Sequence, residues 1–305
     1  MIEDTKRDLV ERTLLNAFGH VRPFTVEESS IVDRYKDGSF GLSSIAFALY
    51  SNGHNLRGIS SNYPHGLIFE DGETLFSISY YRKESDSEDS DGYVFVVAPR
   101  GNNAIEKVNA FSDSVLSNDQ IPCKGVYVRF LTHKQYGELL KQGFSQVDKD
   151  HYPWHPEAPQ EDETYSYSIF TIDDLVSIGD ENSHINLIGT GSRSSRRSAR
   201  GGYNRFNNFL DRNQCTFTLE EYSLENLSEA ENIIQKHFEM LREKGKAIGS
   251  TPEDHYNSLD PKLIEVDSVR AYNGYLQEIP VSILVGEFLS PERFGLYTPY
   301  TLRDR

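Results

Sequence analysis

The sequence predicts a mixed α/β fold arranged as two units. Helical and strand-like hydrophobic patterns alternate along the first half of the chain and again along the second half. A stretch with three prolines and four acidic residues, at positions 151–163, separates the two runs. The length of 305 residues fits one large or two medium domains. We therefore expect a first unit at residues 1–150, a connector at 151–164 and a second unit at 165–305.

The first unit is predicted to open with a helix. Apolar residues recur at spacings of three and four between positions 9 and 18, and Gly19 follows as a stop. A second, short helix is expected at residues 26–35. Strand-like segments at 66–69 and 74–81 flank the dipeptide Asp71-Gly72, which is typical of a tight hairpin turn.

The remainder of the first unit is predicted to alternate strands and helices. A short apolar run at residues 93–98 suits a buried strand, and a helix is expected at 105–116. A second strand at 125–131 and a helix at 134–142 complete the unit. This order favours a mixed sheet flanked by helices.

The second unit is predicted to begin with an extended segment at 165–172 and a helix at 173–178. An extended segment is also expected at 215–222. A capping box formed by Ser228 and Glu231 then predicts the start of an amphipathic helix, which ends before Gly245.

The last forty residues, approximately, are predicted to form a β-meander. Its strands are expected at 268–272, 280–288 and 294–302, with turns at Asn273-Gly274 and at 290–292.

The overall charge limits the partners that the chain can bind. With 31 basic and 47 acidic residues the net charge is −16, so the chain as a whole is a poor non-specific binder of duplex nucleic acid. Cys123 and Cys215 lack metal-type spacing, which fits a reducing compartment and predicts no metal site. No apolar run is long enough to span a bilayer, and the N-terminus is acidic. We expect a cytoplasmic protein whose contact with a membrane is peripheral.

Residues 189–206 invert this charge locally. They contain five arginines and no acidic residue, and glycines and serines separate the arginines. Arginine forks match phosphate oxygens, and a helix would place four of the five on one face. The segment therefore predicts a site for a phosphorylated cofactor or an RNA backbone; the alternative is a solvated or disordered basic loop. The candidate binding residues are Arg193, Arg196, Arg197, Arg200 and Arg205, with Tyr203 and Asn204 expected to order the segment.

Glu287 is the candidate catalytic proton acceptor. It lies in the apolar run 281–288, so its carboxylate would be partly buried if that run formed a central strand. The alternative is a position on a solvated face or at a strand end. His237 falls on the apolar face of a predicted helix, where we expect a packed histidine. No Walker, Gly-x-Ser-x-Gly or His-Glu-x-x-His sequence is present, which disfavours covalent hydrolases and zinc peptidases.

Several segments resemble one known family. They are Arg22-Pro23-Phe24-Thr25, residues 43–50, Tyr165-Ser166-Tyr167-Ser168, Ile172-Asp173-Asp174-Leu175, and Arg196-Arg197 through Asn204-Arg205-Phe206. With the helix and strands that follow them, they resemble the uncharacterised bacterial and archaeal proteins related to the soluble C-terminal domain of phosphatidylglycerol lysyltransferases. The resemblance covers roughly residues 20–305, and its more specific parts are the basic segment and the tyrosine-serine element.

This resemblance implies two tandem acetyltransferase-like (GNAT) domains, as in the Fem-type aminoacyltransferases. It implies an aminoacyl-tRNA-dependent transferase that acts on an anionic lipid headgroup or another small acceptor, with the arginine segment on the tRNA backbone and no permanently bound cofactor. Two alternatives remain: an N-acyltransferase whose donor is acetyl-CoA, and a non-catalytic interaction protein of the same fold.

The sequence departs from the family's pattern near Leu302, where the family continues with further elements of the second domain. The second domain is therefore expected to be truncated. Its last strand would expose an edge, which favours a homo-oligomer or pairing with a partner chain.

Overall fold

The computed structural model describes residues 4–24, 29–38, 42–51, 67–81, 91–146, 193–245, 252–291 and 293–302. The chain divides into two compact units. The first unit contains Met1–Asp162 and Ala247–Asn257, and the second contains Glu163–Lys246 and Ser258–Arg305. The predicted mixed α/β class is confirmed, since both units combine a sheet with helices. The segments predicted at 165–172 and 173–178 lie outside the described residues.

The first unit is built on a five-stranded sheet whose strands lie in the order β1-β2-β3-β4-β5 among the described residues. The first four strands pair antiparallel, and β5 pairs parallel to β4. Its elements in chain order are α1 (Asp4–Ala17), β1 (Val21–Pro23), α2 (Ser29–Tyr35), α3 (Ser44–Ser51), β2 (Leu67–Glu70), β3 (Thr74–Tyr81), β4 (Gly92–Gly101), α4 (Ala104–Leu116), β5 (Cys123–Arg129) and α5 (His133–Lys141). The hairpin predicted at Asp71-Gly72 is confirmed as the β2–β3 connection.

Two apolar clusters hold the first sheet, one on each face. On one face, Val10 and Leu14 of α1 and Phe111 of α4 pack against alternate residues of the strands. On the other face, Val32 of α2 and Phe47 of α3 pack against the intervening strand residues. Successive side chains of a strand point to opposite faces, so a sheet covered on both sides needs the nearly continuous apolar run that β4 carries.

The second unit is built on a four-stranded antiparallel sheet in the order β6-β7-β8-β9 among the described residues. Buried residues of its long helix, Ile233, Ile234 and Phe238 among them, face the sheet. The elements from here onward are α6 (Arg193–Asn213), β6 (Phe217–Glu221), α7 (Leu227–Glu243), α8 (Pro252–Tyr256, part of the first unit), α9 (Pro261–Ile264), β7 (Val269–Leu276), β8 (Ile279–Ser290) and β9 (Arg293–Thr301).

The predicted turn at Asn273-Gly274 is wrong. Strand β7 continues through both residues to Leu276, and the chain reverses at Gln277 and Glu278, whose φ angles are 49° and 69°. Asn273 is fully buried. A Cβ on Gly274 would lie 2.1 Å from Ser282 Oγ, so this glycine allows close approach of a neighbouring strand rather than a turn.

The predicted capping box of α7 is also wrong. The helix begins at Leu227, so Asn226 holds the N-cap position and makes no side-chain capping bond. Its amide instead donates to the Tyr275 hydroxyl over 3.2 Å, because the helix start is packed against β7. A tertiary contact has replaced the local cap that the sequence pattern favoured.

The two units repeat one arrangement. In each, a helix precedes the first strand, further helices follow it, and three consecutive antiparallel strands complete a four-strand order in which the first strand pairs with the second. The first unit then adds α4 and the parallel strand β5. Within the described ranges, no helix combines the length and apolar character that a membrane span requires.

Candidate functional site

The arginine segment is helical from Arg193 to Asn213. Its backbone therefore places positions 193, 196, 197 and 200 on one helix face, as the spacing of three and four predicts. The side chains of residues 193–200 and of Tyr203 lie outside the part of the chain that the structure describes. The phosphate-binding role of Arg193, Arg196, Arg197, Arg200 and Tyr203 stays a prediction.

The second half of α6 is described with its side chains. Asn204 and Arg205 are exposed, as are Phe209 and Arg212. Neither Arg205 nor Arg212 makes an ion pair with any described residue. Their guanidinium groups are therefore available to an external anion.

Helix α6 is fastened to the second sheet at its C-terminal end. The ring of Phe206 meets the ring of Phe217 of β6 edge-on, with centroids 5.2 Å apart and planes at 86°. The backbone N–H of Cys215 donates to the carbonyl oxygen of Leu210 over 2.9 Å, which closes the helix before β6 begins. These contacts fix the orientation of the last turns of α6.

Glu287 lies in β8, between Val269 of β7 and Gly295 of β9, and is fully buried. The alternative of a solvated position is therefore wrong, and the run does form an interior strand. Ser268 Oγ donates to the carboxylate over 3.3 Å, and the Ser268 carbonyl oxygen accepts the N–H of Phe288. The structure holds this carboxylate inside the sheet, and its role as proton acceptor stays a prediction.

His237 has a more specific environment than the sequence indicated. Its Nδ1 lies 3.0 Å from the carbonyl oxygen of Thr301, and only a protonated Nδ1 can donate to that carbonyl. The ring packs against Tyr300 with centroids 5.0 Å apart. This tautomer leaves Nε2 as an acceptor with no partner among the described residues. The contact joins residues 64 apart in sequence, which no local pattern reveals.

The carboxyl end of β4 carries a polar network that the sequence did not reveal. The Arg100 side chain is buried and its Nε donates to Asp37 Oδ2 over 2.6 Å. Its Nη1 donates to the carbonyl oxygens of Pro99 and Phe130, at 2.9 and 3.2 Å. Gln135 Nε2 also donates to the Pro99 carbonyl oxygen, at 2.7 Å. Arg100 thus ties β4 to the segment after β5.

The backbone explains why that network is needed. The parallel ladder of β4 and β5 ends at Val97 and Arg129. The next residue of each strand, Ala98 or Phe130, has a positive φ, 51° and 53°, so the two strands leave the ladder together. Arg100 and Gln135 supply side-chain donors at the place where backbone hydrogen bonds stop.

A second polar cluster lies between α7 and β7. The Tyr275 hydroxyl donates to Glu229 Oε2 over 2.8 Å and accepts from the amides of Asn226 and Asn273. Burial, followed by the hydrogen bond to Glu229, raises the pKa of Tyr275. Within the described residues, no group of histidine, cysteine and carboxylate side chains is arranged to hold a metal ion.

Comparisons with known proteins show the fold and leave the family open. No family model matches the sequence, and no curated protein matches it. The chain is similar to the crystal structure of a conserved protein of unknown function from Bacteroides thetaiotaomicron VPI-5482, with a TM-score of 0.55. The two are 10% identical, and the match covers 92% of this chain and 79% of that one. The architecture described above is therefore similar to that of a solved protein whose function is also open.

Proposed function

We propose that this protein is an acyltransferase that takes its acyl group from aminoacyl-tRNA and passes it to an anionic lipid headgroup or another small acceptor. One observation carries the proposal: a segment free of acidic residues from Arg193 to Leu210 folds as part of one continuous helix in a chain of net charge −16. Such a helix offers a polyanion a row of cationic positions that the rest of the chain lacks.

The described half of α6 supports this role. Arg205 and Arg212 are exposed, without an ion pair to any described residue, so binding a phosphate breaks no existing contact of theirs. Arg205 follows Asn204, whose exposed amide can donate to a phosphate or sugar oxygen. RNA-backbone contacts of this kind position the nucleic acid without reading its sequence.

The two units support an acyltransferase at the level of fold. Each pairs a sheet with helices, and the first unit has the mixed sheet and flanking helices expected of an acetyltransferase-like domain. The second unit repeats the four-strand order. We infer that both are acetyltransferase-like, with β9 of the second unit offering its open edge to a second copy or to another chain.

The proposed reaction is an ester aminolysis or transesterification. A nitrogen or oxygen of the acceptor attacks the carbonyl carbon of the aminoacyl ester and forms the new bond. The ester bond to the terminal ribose breaks, the ribose oxygen takes up a proton, and a protein group receives the proton of the acceptor. Glu287 is the proton acceptor that we propose, and α6 holds the tRNA so that the ester is placed correctly.

An acetyl-CoA-dependent acyltransferase is the alternative for the same fold. In the first unit, Arg100 already joins the ends of β4 and β5, and its guanidinium bonds Asp37 and two carbonyl oxygens. A pyrophosphate there would have to displace these contacts, so we favour the RNA donor.

The test supplies the full chain with labelled aminoacyl-tRNA and, separately, with labelled acetyl-CoA, in the presence of vesicles that contain anionic phospholipid. We expect transfer from aminoacyl-tRNA alone. Transfer from acetyl-CoA alone would replace the proposal with the alternative, and transfer from neither would favour a non-catalytic interaction protein.

A binding measurement tests the helix separately. Replacing Arg196 and Arg197 by alanine should lower tRNA affinity and flatten its salt dependence by about two units of log-log slope. The matched control replaces Arg242 and Lys244, two exposed cations near the end of α7, and changes the net charge equally. Equal effects from the two double variants would show that only overall charge matters.

A further inference from the structure

The exposed side of α6 presents an aromatic ring between two arginines. Arg205, Phe209 and Arg212 are spaced by four and then three residues, so they share one helix face. All three are exposed, and Phe209 keeps 45% of its surface in solvent. We call these three residues the Arg–Phe–Arg row. The single acidic residue of the helix, Asp211, is adjacent in sequence to Arg212 and so falls off this face.

Phe209 is not needed to attach the helix. Phe206, one turn earlier, makes the edge-on contact with Phe217 that fastens α6 to the sheet. Phe209 makes no ring contact with any described residue, although its backbone carbonyl oxygen accepts the Asn213 amide. In α7, by contrast, the large apolar residues Ile233, Ile234 and Phe238 are buried against the sheet. A phenyl ring left in solvent on an anchored helix is suited to an external contact.

The chemistry of the row points to unpaired nucleotides. From the geometry we infer that the row binds single-stranded RNA: a base stacks on Phe209, and the flanking phosphates lie against Arg205 and Arg212. Along the helix the two arginines are separated by about 10 Å, given the rise of an α-helix, so their long side chains reach phosphates on either side of one stacked base. Sequence-tolerant binding of single strands combines such cations with aromatic stacking.

Charge complementarity favours RNA over an apolar protein partner. The row continues a helix without acidic residues from Arg193 to Leu210, and exposed Asn204 and Asn208 add amide donors beside it. A polyanion with exposed ring systems satisfies both the cations and the phenyl ring. This inference rests on the proposed RNA-binding role of α6, but not on acyl transfer.

The experiment measures binding of a short unstructured oligouridylate and of a duplex RNA of matched length to the full chain. Phe209→Ala should weaken binding of the single strand roughly tenfold, at an unchanged salt slope, and leave duplex binding unaltered. Phe209→Trp should bind the single strand at least as well as the native chain, since it keeps a stacking surface. Phe209→Leu should resemble Phe209→Ala, because it keeps apolar area without a ring face.

Two further variants separate the charges from the ring. Arg205→Ala with Arg212→Ala should flatten the salt slope by about two units. Leu116→Ala, on an exposed leucine of α4 in the first unit, is the matched control for loss of an exposed apolar side chain and should change nothing. Because Phe209 is exposed, its variants should unfold at the native temperature, which thermal melts check.

The outcomes separate this inference from the proposed function. If Phe209→Leu binds as well as the native chain, or Phe209→Ala binds normally, stacking is overturned and the exposed ring belongs to a protein or lipid contact. If the ring variants behave as expected but no aminoacyl group is transferred, single-strand binding stands and the transferase proposal fails.

Discussion

Arg100 Nε lies 2.6 Å from the Asp37 carboxylate, and this pair joins the end of β4 to the segment after α2 across 63 positions of sequence. The guanidinium is buried, whereas Asp37 is more exposed. Removing the carboxylate would therefore leave a buried cation with carbonyl and amide oxygens as its partners among the described contacts. The pair is the feature of the first unit on which we expect stability to depend most directly.

Asp37→Ala should lower the free energy of unfolding by about 2 kcal/mol, because a buried charge loses its counter-ion. Urea unfolding followed by circular dichroism measures this change. Lys134→Ala, which breaks the Lys134–Glu138 pair at 3.7 Å on the surface of α5, is the control and should cost about 0.5 kcal/mol or less. Equal costs would mean that burial of Arg100 adds nothing to its ion pair.

Glu278→Gly should stabilise the β7–β8 hairpin by about 1 kcal/mol. Gln277 and Glu278 both have positive φ, which is costly for residues with a Cβ and free of strain for glycine. The substitution should raise the urea midpoint of the second unit. Glu220→Gly in the exposed strand β6 lacks a positive φ and should lower it. A lower midpoint for Glu278→Gly would show that this turn is not strained.

Gly274→Ala should destabilise the second unit by about 1–3 kcal/mol. A Cβ there would stand 2.1 Å from Ser282 Oγ and 2.8 Å from a ring carbon of Phe217, so both side chains must move. Gly201→Ala in α6 is the matched control, because nothing lies within 4 Å of its Cβ position. That helix substitution should stabilise by about 0.5–1 kcal/mol, and thermal melts of the two variants should therefore shift in opposite directions.

These glycines show where sequence reasoning succeeded and failed. The dipeptide Asp71-Gly72 lies at a turn, as predicted, because its neighbours are strands with a local register. Asn273-Gly274 has the same local character but lies within β7, since burial of Asn273 and the close approach of Ser282 decide its place. The actual turn at Gln277-Glu278 carries no turn signal, so hydrophobic register across β7 and β8 overrides local preference.

The candidate site divides in the same way. Helical spacing was readable in the arginine segment because positions three and four apart depend only on local geometry. The contacts of Arg100 with Asp37 and of His237 with Thr301 join residues 63 and 64 apart, and a single sequence holds no local signal for them. The apolar setting of Glu287 was visible, whereas its hydrogen bond from Ser268 depends on the register of β7 and β8.

Stability of the second unit should fall at alkaline pH through Tyr222. Its side chain is buried and its hydroxyl donates to the Leu259 carbonyl oxygen, and burial raises its pKa from 10.0 to about 12. The folded state keeps the proton after the unfolded chain has lost it, so the contribution is complete below pH 10 and disappears as the pH rises toward about 12. We expect a loss of about 2–3 kcal/mol across this window.

Tyr222→Phe checks the assignment, because phenylalanine has no proton to lose. Urea unfolding of this variant should show a shallower decline above pH 10 than the native chain. Tyr35→Phe in the first unit is the comparison, since the pKa of Tyr35 is also raised to about 12, by burial and then by Glu70. An unchanged decline for the second unit in Tyr222→Phe would assign the alkaline loss to another group.

Glu287→Gln should abolish most aminoacyl transfer while leaving the fold and tRNA affinity intact. Glutamine keeps the volume and an oxygen that can accept from Ser268, so the sheet around β8 is preserved. Loss of a proton acceptor should lower kcat by about 100-fold or more, and the alkaline-rising limb of the pH–rate profile should disappear.

His237→Asn is the variant to compare with it. The ring nitrogen Nε2 of His237 has no partner among the described residues, whereas the Glu287 carboxylate is fully buried and bonded to Ser268. If Glu287→Gln keeps its kcat but melts at a lower temperature, the carboxylate serves the sheet alone. Loss of the pH-dependent limb in His237→Asn would then place the proton on the histidine, which α7 and the Thr301 carbonyl already orient.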